Sequence, residues 1–175
     1  MVNPSPDQAV SDDELGELAA QVFDLARMGD AATLRQLLEK GLPADLRNQN
    51  GDTLLMLASY HGQLEAVDVL LKAGANPDMP NGKNQLPLAG AAFKGNLEMA
   101  RRLLAGGANI NGSAADGRTA LMMAAMFNRT ELVKLFLDAG ADLSARDLAG
   151  VDALGAARAM GAVDTQAQLQ ALGAD

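Results

Sequence analysis

The sequence predicts an all-α protein, a solenoid of five 33-residue helix-turn-helix repeats with short β-turn or hairpin tips. Two glycine series predict it. From Gly29 a step of 33 residues reaches Gly62, Gly95, Asn128 and Gly161; from Gly41 the same step reaches Gly74, Gly107, Gly140 and Gly173. Neither series slips, and a fixed period of this size marks a stack of one supersecondary unit. The third observation is the content of one period. The stretch from Gly51 to Asn76, GDTLLMLASYHGQLEAVDVLLKAGAN, reads as helix, turn, helix, turn.

Taken in order, residues 1–10 carry two prolines and no hydrophobic period, which predicts a mobile tail. Residues 11–47 form an N-terminal cap repeat. Ser11 and Glu14 stand in capping-box spacing, and Leu15, Leu18, Val22 and Leu25 make one apolar face opposite Glu14, Glu17, Gln21 and Asp24. Gly29 stops this helix, Asp30 caps the next, and Leu34, Leu37 and Leu38 carry that one to Gly41. Residues 48–80 open with the turn pair Asn50-Gly51, where glycine permits a positive φ. Residues 81–113 place Asn84 at that turn position and Pro87 in the first helical turn, where its missing amide costs nothing. Residues 114–146 open with Asp116-Gly117-Arg118-Thr119 and put Asn128 where the other repeats have the inter-helix glycine. Residues 147–175 are read as a C-terminal cap. Thr165, Gln166 and Gln170 replace the apolar sets Met99, Ala100, Leu104 and Leu132, Val133, Leu137, which predicts a face turned to water.

The residues at these positions are similar to the ankyrin repeats. That pattern runs through a glycine turn, T-P-L-H-x-A-A, an inter-helix glycine, V-x-x-L-L and G-A-x. It appears as Thr53-Leu54-Leu55-Met56 with Ala58, Leu86-Pro87-Leu88-Ala89 with Ala91-Ala92, and Thr119-Ala120-Leu121-Met122 with Ala124-Ala125. Leu70-Leu71, Leu103-Leu104 and Phe136-Leu137 match the double leucine, and Gly74-Ala75, Gly107-Ala108 and Gly140-Ala141 match the ending. The likeness covers roughly residues 12–175. The histidine of the pattern is Met56, Ala89, Met122 and Gly155 here, so its hydrogen bonds between repeats must be lost or replaced.

Composition narrows the function. The chain is 49% apolar and 3% aromatic, with a formal net charge of −8 from 22 acids and 14 bases. Such a surface repels nucleic acid and anionic membranes overall. Without cysteine there is no disulfide, thiolate nucleophile or Cys-ligated zinc. With no leader-like segment or membrane-length apolar run, a soluble cytoplasmic monomer is expected. The lone histidine, His61, lacks partners for catalysis or zinc and reads as a surface residue at a helix C-terminus. Neither a phosphate loop nor a cofactor motif is present.

One constellation remains. Positions two, five and six after the leucine of each first helix share a face: Leu57, Tyr60 and His61; Gly90, Phe93 and Lys94; Met123, Met126 and Phe127. With helices stacked roughly 8–10 Å apart, Tyr60, Phe93, Met126 and Phe127 would form an apolar stripe roughly 20 Å or more long. These rings could bind a partner or merely pack between helices; the sequence leaves both readings open. The resemblance implies binding through the concave face and the turn tips, here Asn50, Asp52, Lys83, Gln85, Asp116 and Arg118. It therefore implies a non-catalytic protein-binding module. Small bacterial ankyrin proteins that accompany an enzyme or toxin suggest an accessory or inhibitory role, and the acidic surface suggests a partner with a basic patch. The alternatives are a hydrolase using groove carboxylates and an architectural spacer. The first needs two facing acids, yet Asp52 and Asp116 are two repeats apart; the second needs a featureless concave face.

Overall fold

A computed structural model describes residues 12–173, and these form ten helices with no strand longer than an isolated bridge. They follow in pairs: α1 (Asp12–Met28) and α2 (Ala31–Glu39), α3 (Leu54–Tyr60) and α4 (Leu64–Lys72), α5 (Pro87–Lys94) and α6 (Leu97–Ala105), α7 (Ala120–Met126) and α8 (Thr130–Asp138), α9 (Ala153–Met160) and α10 (Val163–Ala171). Helices of seven to nine residues are too short to persist alone, so packing and capping must hold them. Thr53 and Thr119 cap α3 and α7 by accepting from the amides of Met56 and Met122 at 3.0 and 3.3 Å. Asp30 and Asp152 do the same for Thr33 and Gly155 at 3.0 and 2.8 Å. Before α5 the cap is Leu86, which makes no such bond, and Pro87 removes one of the amides that would need it.

The pairs stack in two layers. Odd-numbered helices pack against odd-numbered neighbours and even against even, so each pair touches the pairs beside it. The core is continuous along the stack. Leu55, Ala58, Leu70, Ala92, Leu103, Ala125, Phe136, Ala157 and Leu169 have essentially no exposed surface. Each fully buried leucine contributes about 1.5–3 kcal/mol, which suits a fold made of alanine and leucine.

A ladder of short polar side chains links the loops that follow the even-numbered helices. Asp45 accepts from the amide of Asn76 at 2.8 Å, Asp78 from Asn109 at 2.9 Å, and Asn111 from Asp142, also at 2.8 Å; each bond ties one unit to the next. Within the tips, Asn48, Asn81 and Asp147 each accept two amides, a closed side-chain turn. Met56 and Met122, at histidine positions, are buried.

The described residues bear out the turn asparagines, since Asn84 and Asn128 have φ of 57° and 56°. The tips carry only single antiparallel bridges, Arg47 to Thr53 and Ser113 to Thr119, rather than longer hairpins. Two readings change. Among the described side chains of α1, Phe23 and Ala26 are buried, while Val22 and Leu25 are half-buried against the core. Thr165 does not face water: it is fully buried, and its hydroxyl donates to the carbonyls of Ala125 at 2.8 Å and Ala162 at 3.1 Å. Polarity here marks a satisfied contact with the preceding pair. Gln166 is half-buried and Gln170 exposed. Ser11 and the tail lie outside the described residues, as do the side chains of Glu14, Leu15 and Leu18.

Candidate partner-binding site

Two rows of side chains run along the stack at the C-terminal ends of the odd-numbered helices. By the 33-residue register one row is Arg27, Tyr60, Phe93, Met126 and Ala159; the other is Met28, His61, Lys94, Phe127 and Met160. The aromatic residues serve both roles that the sequence left open. Phe93 and Phe127 meet edge to face, with centroids 4.9 Å apart and planes at 88°, which joins neighbouring units. Yet Phe93 stays 43% exposed and Tyr60 47%. Lys94 holds its ammonium 4.2 Å from the centre of the Tyr60 ring, and His61 lies edge-on to the same ring at 5.6 Å. Met126 and Phe127 are half-buried, while Leu57 is withdrawn into the core.

The turn residues form a separate group. Asn50 offers its carbonyl to the amide of Gly82 at 3.1 Å, and a Cβ at Gly82 would collide with that oxygen. Half-buried Asp52 accepts from Asn48 at 3.3 Å, and Gln85 accepts from Asn81 at 3.1 Å. Lys83 is exposed. Asp116 accepts the amide of Arg118 at 3.0 Å, and the Arg118 guanidinium lies 3.5 Å from Asp116 and 3.7 Å from the nearly buried carboxylate of Asp147. Asp116 and Leu148 are joined by a backbone bond of 2.9 Å. Between the tips at Asn84 and Ala115 a cleft of about 350 Å³ opens instead, lined also by Asp78, Pro80 and Leu86. The tips lie at the N-terminal ends of odd-numbered helices and the rows at their C-terminal ends, so a helix of seven or eight residues, roughly 10–12 Å, separates them. The structure therefore divides the candidate residues into two parallel strips.

Neither strip assembles a reacting constellation. His61 has an aromatic neighbour and no orienting acid, while the tip carboxylates of Asp52 and Asp116 are engaged with Asn48 and Arg118. Sequence reasoning missed the two ends of the stripe. Met28 is 69% exposed and Met160 53%, in the cap repeats but in register with His61, Lys94 and Phe127. Continuing the 33-residue step past repeats two to four would have found both.

Comparison with known proteins fits this geometry. A family model described as ankyrin repeats in three copies matches residues 74–147, and another described as ankyrin repeats in many copies matches residues 37–91. Together they span residues 37–147, well over half of the chain. A Pseudomonas aeruginosa protein named as a putative ankyrin repeat protein is 57% identical over 56 residues. That stretch is 32% of this chain and 33% of the relative, so the matched region spans about a third of each.

Proposed function

Given that the chain belongs to the ankyrin-repeat family, whose repeats generally mediate protein–protein interaction, we propose that it binds a partner protein across the C-terminal ends of its odd-numbered helices. The observation that carries the reading is the exposure of rings already fixed by neighbours. Tyr60 is held under Lys94 and Phe93 against Phe127, yet both rings keep more than two-fifths of their surface open. Rigid, half-exposed aromatics lose little freedom on binding and are common hot spots. The tip strip, with Asn50, Asp52, Lys83, Gln85, Asp116 and Arg118, sets orientation from one side. The units divide at residues 48, 81, 114 and 147. The proposal extends to a non-catalytic accessory role in the cytoplasm of a bacterium, of which the Pseudomonas relative supports the bacterial setting.

The test is the triple variant Tyr60→Ala, Phe93→Ala, Phe127→Ala in the full chain. It should keep its helical circular dichroism and lose the partner recovered with the parent protein, each ring contributing about 2 kcal/mol or more. Unfolding would assign the rings to the core, and binding by a folded variant would move the site to the tips or the second helices.

A further inference from the structure

Within the odd-numbered layer the acids are confined to α1, whose sequence carries Asp12, Asp13, Glu14, Glu17 and Asp24. From α3 to α9 the odd-numbered helices contain no aspartate or glutamate at all; their ionised groups are Lys94 and Arg158, with His61 beside them. Arg158 stands in the register of buried Ser59, Ala92 and Ala125, off the two rows, and Arg27 is paired with Asp24 at 2.5 Å. Lys94 therefore brings a positive charge to the middle of the stripe, and no carboxylate among the described residues is paired with it. Beyond α1 the acids lie on the even-numbered helices and in the turns, as Glu65, Asp68, Glu98, Glu131 and Asp138 do.

Gly90 supplies a second observation. It sits inside α5, one turn before Phe93 and Lys94, where glycine costs a helix about 0.5–1 kcal/mol relative to alanine. Crowding does not demand it, since a Cβ there would meet nothing within 4 Å, and its φ is not in the left-handed range. What the missing side chain leaves is open space and bare backbone one turn from Phe93 and Lys94.

Resting on the first-helix face as the docking surface, we propose that this face takes a partner segment in which apolar side chains flank a carboxylate. The carboxylate meets the Lys94 ammonium, an apolar side chain lies over the bare backbone of Gly90, and its neighbours cover Tyr60, Phe93 and Phe127. This replaces the basic patch expected from net charge: from α3 to α9 the first helices carry no carboxylate that would attract one. The cation is exposed on an aromatic face, with no carboxylate among the described residues paired to it, so it is open to an incoming carboxylate.

A random peptide library panned on the immobilised full chain tests it. The recovered peptides should combine Asp or Glu with apolar residues. Their affinity should fall on the order of tenfold on Lys94→Glu, fall on Gly90→Leu, and stay unchanged on Glu131→Ala, which lies on α8 away from both strips. Panning on Lys94→Glu should recover Lys or Arg in place of the acid. Peptides that are basic on the parent protein, or acidic ones indifferent to Lys94→Glu and Gly90→Leu, would overturn the proposal, as would a selection that yields no binder. The triple aromatic variant separates the layers of the argument. Peptides that need the rings but ignore Lys94 and Gly90 leave the docking face standing and remove its charge preference; peptides that ignore the rings remove the docking face itself.

Discussion

Asn128 and Gly140 occupy the same kind of backbone for different reasons. Gly140 follows α8 with a φ of 89°, and a Cβ there would meet nothing within 4 Å, so strain rather than crowding selects glycine. Gly140→Val should destabilise by more than about 1–2 kcal/mol, read as a lower midpoint in urea with an unchanged slope. Asn128, at φ 56°, does more than stand in for a glycine. Its side-chain oxygen accepts from the amides of Asp164 and Thr165 at 3.1 and 3.0 Å, and its amide donates to the Asp164 carboxylate at 2.7 Å, capping α10 from the preceding pair. Asn128→Gly keeps the backbone and loses the cap, so it should cost about 1 kcal/mol. An equal or higher midpoint would reduce Asn128 to its φ. The positive φ was legible because asparagine recurs where the series has glycine; the capping was not, since its partners are 36 and 37 residues away. Asp30 and Asp142 carry a pH signature. Bonds to Thr33 and to Ser144 hold their carboxyls below the ordinary value of 3.8. A depressed folded value means stabilisation present above the unfolded one and lost as pH falls through the folded one. Acid titration of the fold should therefore show a shallower decline below pH 3.8 in Asp30→Asn than in the parent.

Among the elements, α5 and α10 show how far a repeat pattern reads and where it stops. Helix positions, turns and Pro87 at the start of α5 follow from spacing and turn chemistry alone, because every unit must meet the same neighbours. The fate of Thr165 does not follow. A hydroxyl at the register of Met99 and Leu132 suggests exposure, but the Ala125 carbonyl of α7, in the preceding pair, lies within reach, and burial with a bond costs less than burial without one. Polarity in sequence could not separate a wet face from a satisfied buried group. The stripe was legible in its centre for the opposite reason: Tyr60, Phe93 and Phe127 are large residues at equivalent positions, whereas the ends are methionines that read as ordinary core. α5 also offers a clean test of its interior glycine. Gly90→Ala should raise stability by about 0.5–1 kcal/mol, because the added methyl has space and the helix gains propensity. A loss of stability would show that the fold itself needs glycine there, and would remove the reason for reading Gly90 as part of a binding face.

At the scale of the whole molecule, stability is a sum over neighbouring pairs. The sum makes the last pair indispensable for a physical reason that can be stated in residues. α9 packs on α7 and α10 on α8, and the buried members of that contact include Leu132, Val133, Thr165 and Leu169. Deleting residues 147–175 would leave α7 and α8 without their outer neighbours, and would strand the side chain of Asn128, whose capped amides are gone. Arg118 would also lose the Asp147 carboxylate, while its bond to Asp116 would remain. Apolar surface opened in this way has no closing symmetry, so it should be met by other copies and lead to open-ended association. Light scattering at rising concentration should show aggregation of the truncated chain and none of the parent. A truncated chain that stays monomeric would mean that α9 and α10 add stability without shielding the stack, and that the fourth pair can face water as it is.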